Sequence, residues 1–172
     1  EKLIERLAAA KPSCVLTGSV HDDLKVPQIT TKHPFAAISA VAEKYFASPR
    51  PAAGIHPSAA VSESAKIGAR VSVGAFAVIG ENVEIGDDSI IHPHVVIYAG
   101  VKLGKGCVIH AGAVIREHVT LGDDCLMQPG VVLGGDGFGY FPDPVVGHRR
   151  IPHVGTLILG DRVDFGANSA ID

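Results

Sequence analysis

The sequence predicts a mainly β protein in which a parallel β-helix of six-residue repeats follows the tail of a small α/β domain. Three observations lead to this fold class. An aliphatic residue recurs at every sixth position from residue 55 to residue 133, a glycine often follows it directly, and the composition changes at a Pro/Ala-rich segment over residues 47–54. A period of six matches neither the 3.6-residue period of a helix nor the two-residue period of a strand, and it is typical of a parallel β-helix.

The composition limits the classes of function. Of the 172 residues, 47% are hydrophobic, which excludes intrinsic disorder, and only 5% are aromatic, so the core is aliphatic. The 15 basic residues are outnumbered by 18 acidic ones, and this balance argues against a nucleic-acid-binding surface. No apolar run approaches the ~20 residues of a transmembrane segment. Three cysteines do not make a disulfide framework, so a cytoplasmic location is expected.

Residues 1–46 are typical of the C-terminal part of a small α/β domain. They contain a helix pattern over residues 1–10, strand patterns near residues 13–17 and 28–30, and a second helix pattern from Pro34 to Phe46. Proline suits the first position of a helix, where an N–H group would have no partner. We expect this second helix to bury one side, made of Phe35, Ile38, Val41, Ala42 and Tyr45. Residues 47–54 (ASPRPAAG) form the linker to the β-helix at 55–172.

From residue 55 onward, every sixth residue is aliphatic. These residues are Ile55, Val61, Ile67, Val73, Ile79, Ile85, Ile91, Ile97, Leu103, Ile109, Ile115, Leu121, Met127 and Leu133. Glycine occupies the next position in seven of these fourteen hexads, which indicates a backbone turn in each unit. The phase breaks after Leu133 and returns at Leu159, Phe165 and Ile171, so residues 134–158 must loop out of the coil as an insert.

The insert supplies the candidate binding residues. Its Gly135–Gly139 segment (GDGFG) is similar to a phosphate-binding loop, but no helix follows it, so nucleotide binding by this loop is not expected. A long loop with aromatic and basic side chains on a rigid solenoid suits the wall of a binding cleft. Packing of the loop on its own coil is the alternative. Asp136, Phe138 and Tyr140 are the candidate substrate-binding residues.

The insert and the segments around it resemble one acyltransferase family. The runs GVVLGGDGFGY (130–140) and LILGDRVDFGANSAID (157–172), with Ile151 and Pro152 between them, are similar to UDP-3-O-acylglucosamine N-acyltransferases of lipid A biosynthesis. Residues 1–46 are similar to the later part of that family's uridine-binding domain. The resemblance covers nearly the whole chain, and it implies a left-handed β-helix with three hexads per coil and assembly as a homotrimer.

The same resemblance implies the chemistry. In that family a 3-hydroxyacyl chain moves from acyl carrier protein to the 2-amine of UDP-3-O-acylglucosamine. The reaction uses neither a cofactor nor a metal, and a histidine removes the amine proton in a cleft between subunits. The family's histidine base corresponds to a position beyond Asp172, and its uracil-binding aromatic residues precede Glu1, so we expect a fragment truncated at both ends. Among the nine histidines present, His153 in the insert is the in-chain candidate for a base.

A coil of 18 residues predicts that residues 18 apart stack on adjacent coils. Ser89, Cys107 and Cys125 form one such ladder, which suits either a redox pair or a need for small side chains at that position. His92, His110 and Gln128 form a second ladder.

Three alternatives remain open. Another hexapeptide acyltransferase, of the UDP-N-acetylglucosamine O-acyltransferase type, would share the repeats but lack an α/β domain before them. A zinc enzyme similar to carbonic anhydrase needs three histidines that meet across a trimer interface, and His118, His148 and His153 have suggestive spacing. A trimeric scaffold that has lost its catalytic end is the non-enzymatic alternative.

Overall fold

The computed structural model describes residues 6–7 and 9–172, in two compact units that divide between Arg50 and Pro51. In the first unit, strand β1 (Val15–Thr17) pairs in parallel with β2 (Gln28–Thr30), and helix α1 (Pro34–Phe46) follows. The helix predicted over residues 1–10 lies partly outside the described residues; residues 6–7 and 9–10 are helical. Among the described helices, none has the length and apolar character needed to cross a bilayer.

The prediction that α1 buries one apolar side is wrong. Phe35 is 90% exposed and Tyr45 is 68% exposed, and none of the residues of α1, all of them described, is buried. The apolar spacing identified the helix correctly, but burial also requires a partner surface. Two strands of three residues each offer too little area to cover a helix of thirteen residues.

The second unit is a parallel β-solenoid built from two-residue strands. The strands before the insert are β3 (Gly54–Ile55), β4 (Ala60–Val61), β5 (Lys66–Ile67), β6 (Ser72–Val73), β7 (Val78–Ile79), β8 (Glu84–Ile85), β9 (Ile90–Ile91), β10 (Val96–Ile97), β11 (Lys102–Leu103), β12 (Val108–Ile109), β13 (Val114–Ile115), β14 (Thr120–Leu121), β15 (Leu126–Met127) and β16 (Val132–Leu133). The insert carries β17 (Tyr140–Asp143) and β18 (Gly147–Arg150), and the solenoid then resumes with β19 (Ile158–Leu159), β20 (Asp164–Phe165) and β21 (Ala170–Ile171). The solenoid strands form three sheets of six, five and six strands.

Residues that pair on adjacent coils are 18 positions apart everywhere before the insert. Val96 pairs with Val114 and Ile97 pairs with Ile115, so each strand lies beside the strand three hexads later. Beyond the insert, Leu121 pairs with Leu159, and the offset has grown from 18 to 38 residues. The coil length of three hexads and the return of the repeat at Leu159 are therefore confirmed.

Two inward side chains per hexad fill the solenoid. The sixth-position aliphatic residues Ile91, Ile109 and Ile115 are at most 1% exposed, and Val95, two positions before an aliphatic, is fully buried. Ile55 in the first coil is 50% exposed, because a neighbouring coil of this unit covers it on one side only. Burial of these aliphatic side chains is the main stabilising contribution to the solenoid.

From residue 70 onward, the corners of the coil turn through residues in the left-handed backbone region. Gly106 has φ +65° and the residue one coil later, Asp124, has φ +55°. At Gly106 a side chain is excluded on a second ground, since a Cβ atom there would overlap Oδ1 of Asp124. A glycine at this corner thus provides both the backbone conformation and the space for the next coil.

The ladder of Ser89, Cys107 and Cys125 has a structural role. All three side chains are at most 1% exposed, and both buried thiols are free. Each side chain donates a hydrogen bond to a turn glycine of the next coil: Ser89 Oγ to Gly104 O at 3.1 Å, Cys107 Sγ to Gly122 O at 3.2 Å and Cys125 Sγ to Gly160 O at 3.2 Å. Burial raises the pKa of the Cys107 thiol to about 11, so that thiol stays protonated and inert near neutral pH.

Candidate functional site

The insert leaves the solenoid after β16 and folds into a hairpin. Strands β17 and β18 pair antiparallel, with Tyr140 opposite Arg150. Asp143 closes the turn, because its Oδ1 accepts hydrogen bonds from the N–H groups of Val145 at 2.9 Å and Val146 at 3.0 Å. These two bonds are the main reason why the pKa of Asp143 is lowered. The hairpin is therefore an ordered element and not an irregular loop.

Both ends of the insert are tied to the coil at neighbouring places. The N–H groups of Gly134 and Gly135 donate to the carbonyl oxygen of Ile171, at 2.8 and 3.2 Å. At the returning end, Thr156 Oγ1 donates to the carbonyl oxygen of His118 at 2.7 Å. The insert consequently starts and finishes beside the last described coil, at the corner next to Asp172.

Two cavities lie where the insert meets this corner. The first, of about 200 Å³, is lined by two carboxylates, an imidazole, a hydroxyl group and glycine backbone, contributed by Asp136, Asp172, His153, Thr156, Gly134 and Gly135. The second, of about 300 Å³, is lined by Asp136, Arg150, Pro152 and His153. Asp136 and Arg150 form an ion pair between the two ends of the insert. Acidic, basic and imidazole groups thus meet in the second cavity, as a site for proton transfer or polar binding requires.

The four residues singled out from the sequence occupy two parts of this region. Asp136 and His153 line both cavities. Phe138 and Tyr140 lie on the exposed side of the insert, where their rings are 5.1 Å apart at 53° and are 95% and 48% exposed. The structure therefore brings Asp136 and His153 together and presents the aromatic pair separately to solvent.

A pair at the same corner, Tyr98 and Arg116, was missed in the sequence. The Arg116 guanidinium lies over the Tyr98 ring, 5.4 Å from its centroid, and Arg116 Nε donates to Glu117 Oε2 at 2.6 Å. That hydrogen bond is the main reason why the pKa of Glu117 is lowered. The sequence did contain a signal that Tyr98 and Arg116 stack at this corner. Tyr98, Arg116 and Gly134 are 18 residues apart, and each directly follows an inward aliphatic residue.

The two histidines of the second ladder lie at another corner of the solenoid. His92 and His110 follow β9 and β12, on a different sheet from β16, and their rings stack with centroids 4.6 Å apart. His94 stacks on Phe76 at 5.3 Å. In the part of the chain that the structure describes, no three His, Cys, Asp or Glu side chains converge as a metal site.

A larger groove of about 520 Å³ lies at the first coils of the solenoid. It is lined mainly by apolar groups such as Pro51, Ile55 and Val73, and its polar residues are His56, Ser72 and His92. It lacks carboxylate and guanidinium groups. The charged groups that a catalytic or polar binding site needs are therefore found in the smaller cavities at the insert, not in this groove.

Comparison with known proteins identifies the repeats. Residues 64–99 and 100–135 match the family described as bacterial transferase hexapeptide (six repeats). A 41-residue segment is 54% identical to the UDP-3-O-acylglucosamine N-acyltransferase of Thermosynechococcus vestitus and 51% identical to that of Bacteroides thetaiotaomicron. In both cases the match covers 24% of this chain and only 12% of the relative's length.

A solved structure supports the architecture. The UDP-N-acetylglucosamine acyltransferase of Bacteroides fragilis is 25% identical and superposes with a TM-score of 0.54, over 69% of this chain and 46% of that one. The solenoid thus has the left-handed β-helix fold of this neighbour, and the predicted fold class is confirmed.

Proposed function

We propose that this chain, in which residues 64–99 and 100–135 match the bacterial transferase hexapeptide family, is part of an acyl-carrier-protein-dependent N-acyltransferase. The reaction moves a 3-hydroxyacyl chain from acyl carrier protein to the 2-amine of UDP-3-O-acylglucosamine. The observation that carries this proposal is the insert, which places Asp136, Arg150 and His153 around two cavities on a hexapeptide coil. Identities of 54% and 51% to relatives named for this reaction support the choice of substrate.

The chemistry requires removal of the amine proton and stabilisation of the negative charge that develops on the thioester carbonyl oxygen. The amine nitrogen attacks the thioester carbonyl carbon, the C–N bond forms, the C–S bond breaks and the carrier leaves as a thiolate, which then receives the proton that the amine gives up. The amine proton passes to a histidine base, which is effective near neutral pH. By resemblance we place that base beyond Asp172, and neither a cofactor nor a metal enters the reaction.

The residues of the insert act in binding. Asp136, held by Arg150, accepts hydrogen bonds from sugar hydroxyl or amine groups that enter the 200 Å³ cavity. The exposed rings of Phe138 and Tyr140 provide apolar surface for the acyl chains of donor or acceptor. The protein assembles as a homotrimer in the cytoplasm, where its carrier and nucleotide-sugar partners are found.

The direct test is an assay of N-acyl transfer from 3-hydroxyacyl carrier protein to UDP-3-O-acylglucosamine. The 172-residue chain is assayed beside the complete product of its gene, so that a base outside these residues does not obscure the result. Asp136→Asn is expected to lower kcat/KM at least tenfold, while Val145→Ala, a change at an 87% exposed hairpin residue, serves as the control. Absence of transfer by both proteins would overturn the proposal.

A second candidate is O-acyl transfer to UDP-N-acetylglucosamine. It is favoured by the superposition on an acyltransferase of that name, and disfavoured by the α/β unit that precedes the first hexads. The same assay with UDP-N-acetylglucosamine as acceptor separates the two, because the acceptor atom is a hydroxyl oxygen in one case and an amine nitrogen in the other.

A further inference from the structure

The imidazole ring of His153 packs against the backbone of the Gly137–Gly139 loop. A Cβ atom on Gly137 would lie 2.9 Å from His153 Cε1 and 3.4 Å from Nδ1, and a Cβ atom on Gly139 would lie 3.6 Å from Nε2. Neither glycine has a left-handed φ. The ring occupies the space that a Gly137 side chain would need, whereas a Cβ atom on Gly139 would make only ordinary contacts with His153 and Ile151. Space and not backbone conformation therefore explains why glycine suits position 137.

The side chains around this contact face in different directions. With Gly137 and Gly139 against the ring, Phe138 between them projects into solvent and is 95% exposed. On its other sides, His153 lines both cavities together with Asp136. One imidazole is therefore in contact with the loop that carries the aromatic pair and with the space that holds the carboxylate.

We propose that His153 is a positioning residue: its ring supports the Gly137–Gly139 loop and thereby sets the place of Asp136 and Phe138 beside the last coil. It does not accept the reaction's proton. The activity measurements that test this proposal rest on the proposed function, whereas a fluorescence measurement tests it independently.

The first experiment is a double-mutant cycle on the packing contact, made in the complete product of the gene, in which the proposed base is present. Gly137→Ala places a methyl group against the ring and is expected to lower kcat/KM about tenfold to a hundredfold, the scale of a 1 Å displacement in a site. His153→Ala removes the support and has a similar effect. The double variant puts the new methyl group into the vacated space and is expected to recover at least tenfold over Gly137→Ala.

The cycle has a matched control and an outcome that contradicts it. Val145→Ala, a change at an 87% exposed residue of the same insert, is expected to leave activity unchanged. If the double variant is as inactive as His153→Ala, the ring does more than fill space and the proposal is wrong.

His153→Gln separates positioning from proton transfer. A glutamine amide is flat and polar, so it can lie on the two glycines, but it does not accept a proton near neutral pH. Positioning predicts kcat/KM within about threefold of the wild type, with the effect on KM, whereas loss of a general base lowers kcat by about a hundredfold or more. The second result would overturn the proposal.

The arm that does not depend on activity uses fluorescence. The chain has no tryptophan, so Phe138→Trp introduces a single reporter on the loop. Adding His153→Ala is expected to lower the anisotropy of that tryptophan, and His153→Gln is expected to retain it. Unchanged anisotropy after His153→Ala would overturn the positioning role, even if the acyl-transfer assignment fails on its own assay.

Discussion

The imidazole rings of His92 and His110 stack on adjacent coils, with centroids 4.6 Å apart and planes 7° from parallel. Each follows an inward aliphatic residue at the same corner of the solenoid, so the 18-residue period brings the two rings together. Both rings are half-buried. Two protonated imidazoles in this arrangement would repel each other.

This stack predicts a loss of stability as the pH falls. The pKa of His92 is lowered, first by burial and then by the charge of His110, so below its ordinary value of about 6.5 the unfolded chain binds more protons than the folded one. Stability is therefore full above about pH 6.5 and declines as the pH falls through the folded-state pKa. We expect His92→Gln to reduce the difference in unfolding free energy between about pH 7.5 and pH 5, measured with urea.

The control for this prediction is His148→Gln, which removes an exposed hairpin histidine. An equal pH response in wild type and His92→Gln would show that the stack makes no contribution.

The cysteine ladder predicts selective thiol labelling. Cys14 is exposed, whereas Cys107 and Cys125 are buried and donate hydrogen bonds to carbonyl oxygens. A thiol reagent at about pH 8 is expected to modify one thiol per native chain and all three after denaturation, because only the accessible thiolate reacts. Rapid labelling of two or three thiols in the native protein would contradict the burial of the ladder.

Gly106 is expected to be intolerant of a side chain. Gly106→Ala forces a left-handed φ on a residue with a Cβ, at about 1–2 kcal/mol, and the methyl group also displaces the Asp124 carboxylate. The midpoint of urea unfolding should fall accordingly. The alanine variant of Gly160, which has neither restriction, should unfold at nearly the wild-type midpoint, and equal losses in both would contradict this interpretation.

Ile109 tests the contribution of the inward aliphatic residues. It is fully buried between coils, so Ile109→Ala is expected to lower the unfolding free energy by about 2–5 kcal/mol. Ile55→Ala removes the same atoms from a side chain that is 50% exposed and should cost clearly less. Urea unfolding at neutral pH measures both changes, and similar losses would show that the coils do not differ in packing.

Much of the solenoid follows from local sequence. Aliphatic residues such as Ile97 and Ile115 recur with one period, and that period alone places them inward and predicts the break after Leu133 and the return at Leu159. Repetition makes the prediction robust, because every coil repeats the same contacts with its neighbours. The exposed side of α1 was mispredicted because the amphipathic pattern says which side is apolar but not whether a surface exists to cover it.

The six-residue period, the inward residues and the position of the insert follow from the amino-acid sequence alone, because all of them depend on near neighbours in the repeat. The hairpin of the insert, the ion pair of Asp136 with Arg150 and the packing of His153 on Gly137 arise only in the folded chain. These contacts occur once and join residues of the insert without any period. Only the folded backbone, tied to Ile171 and His118 at its two ends, brings their side chains to one place.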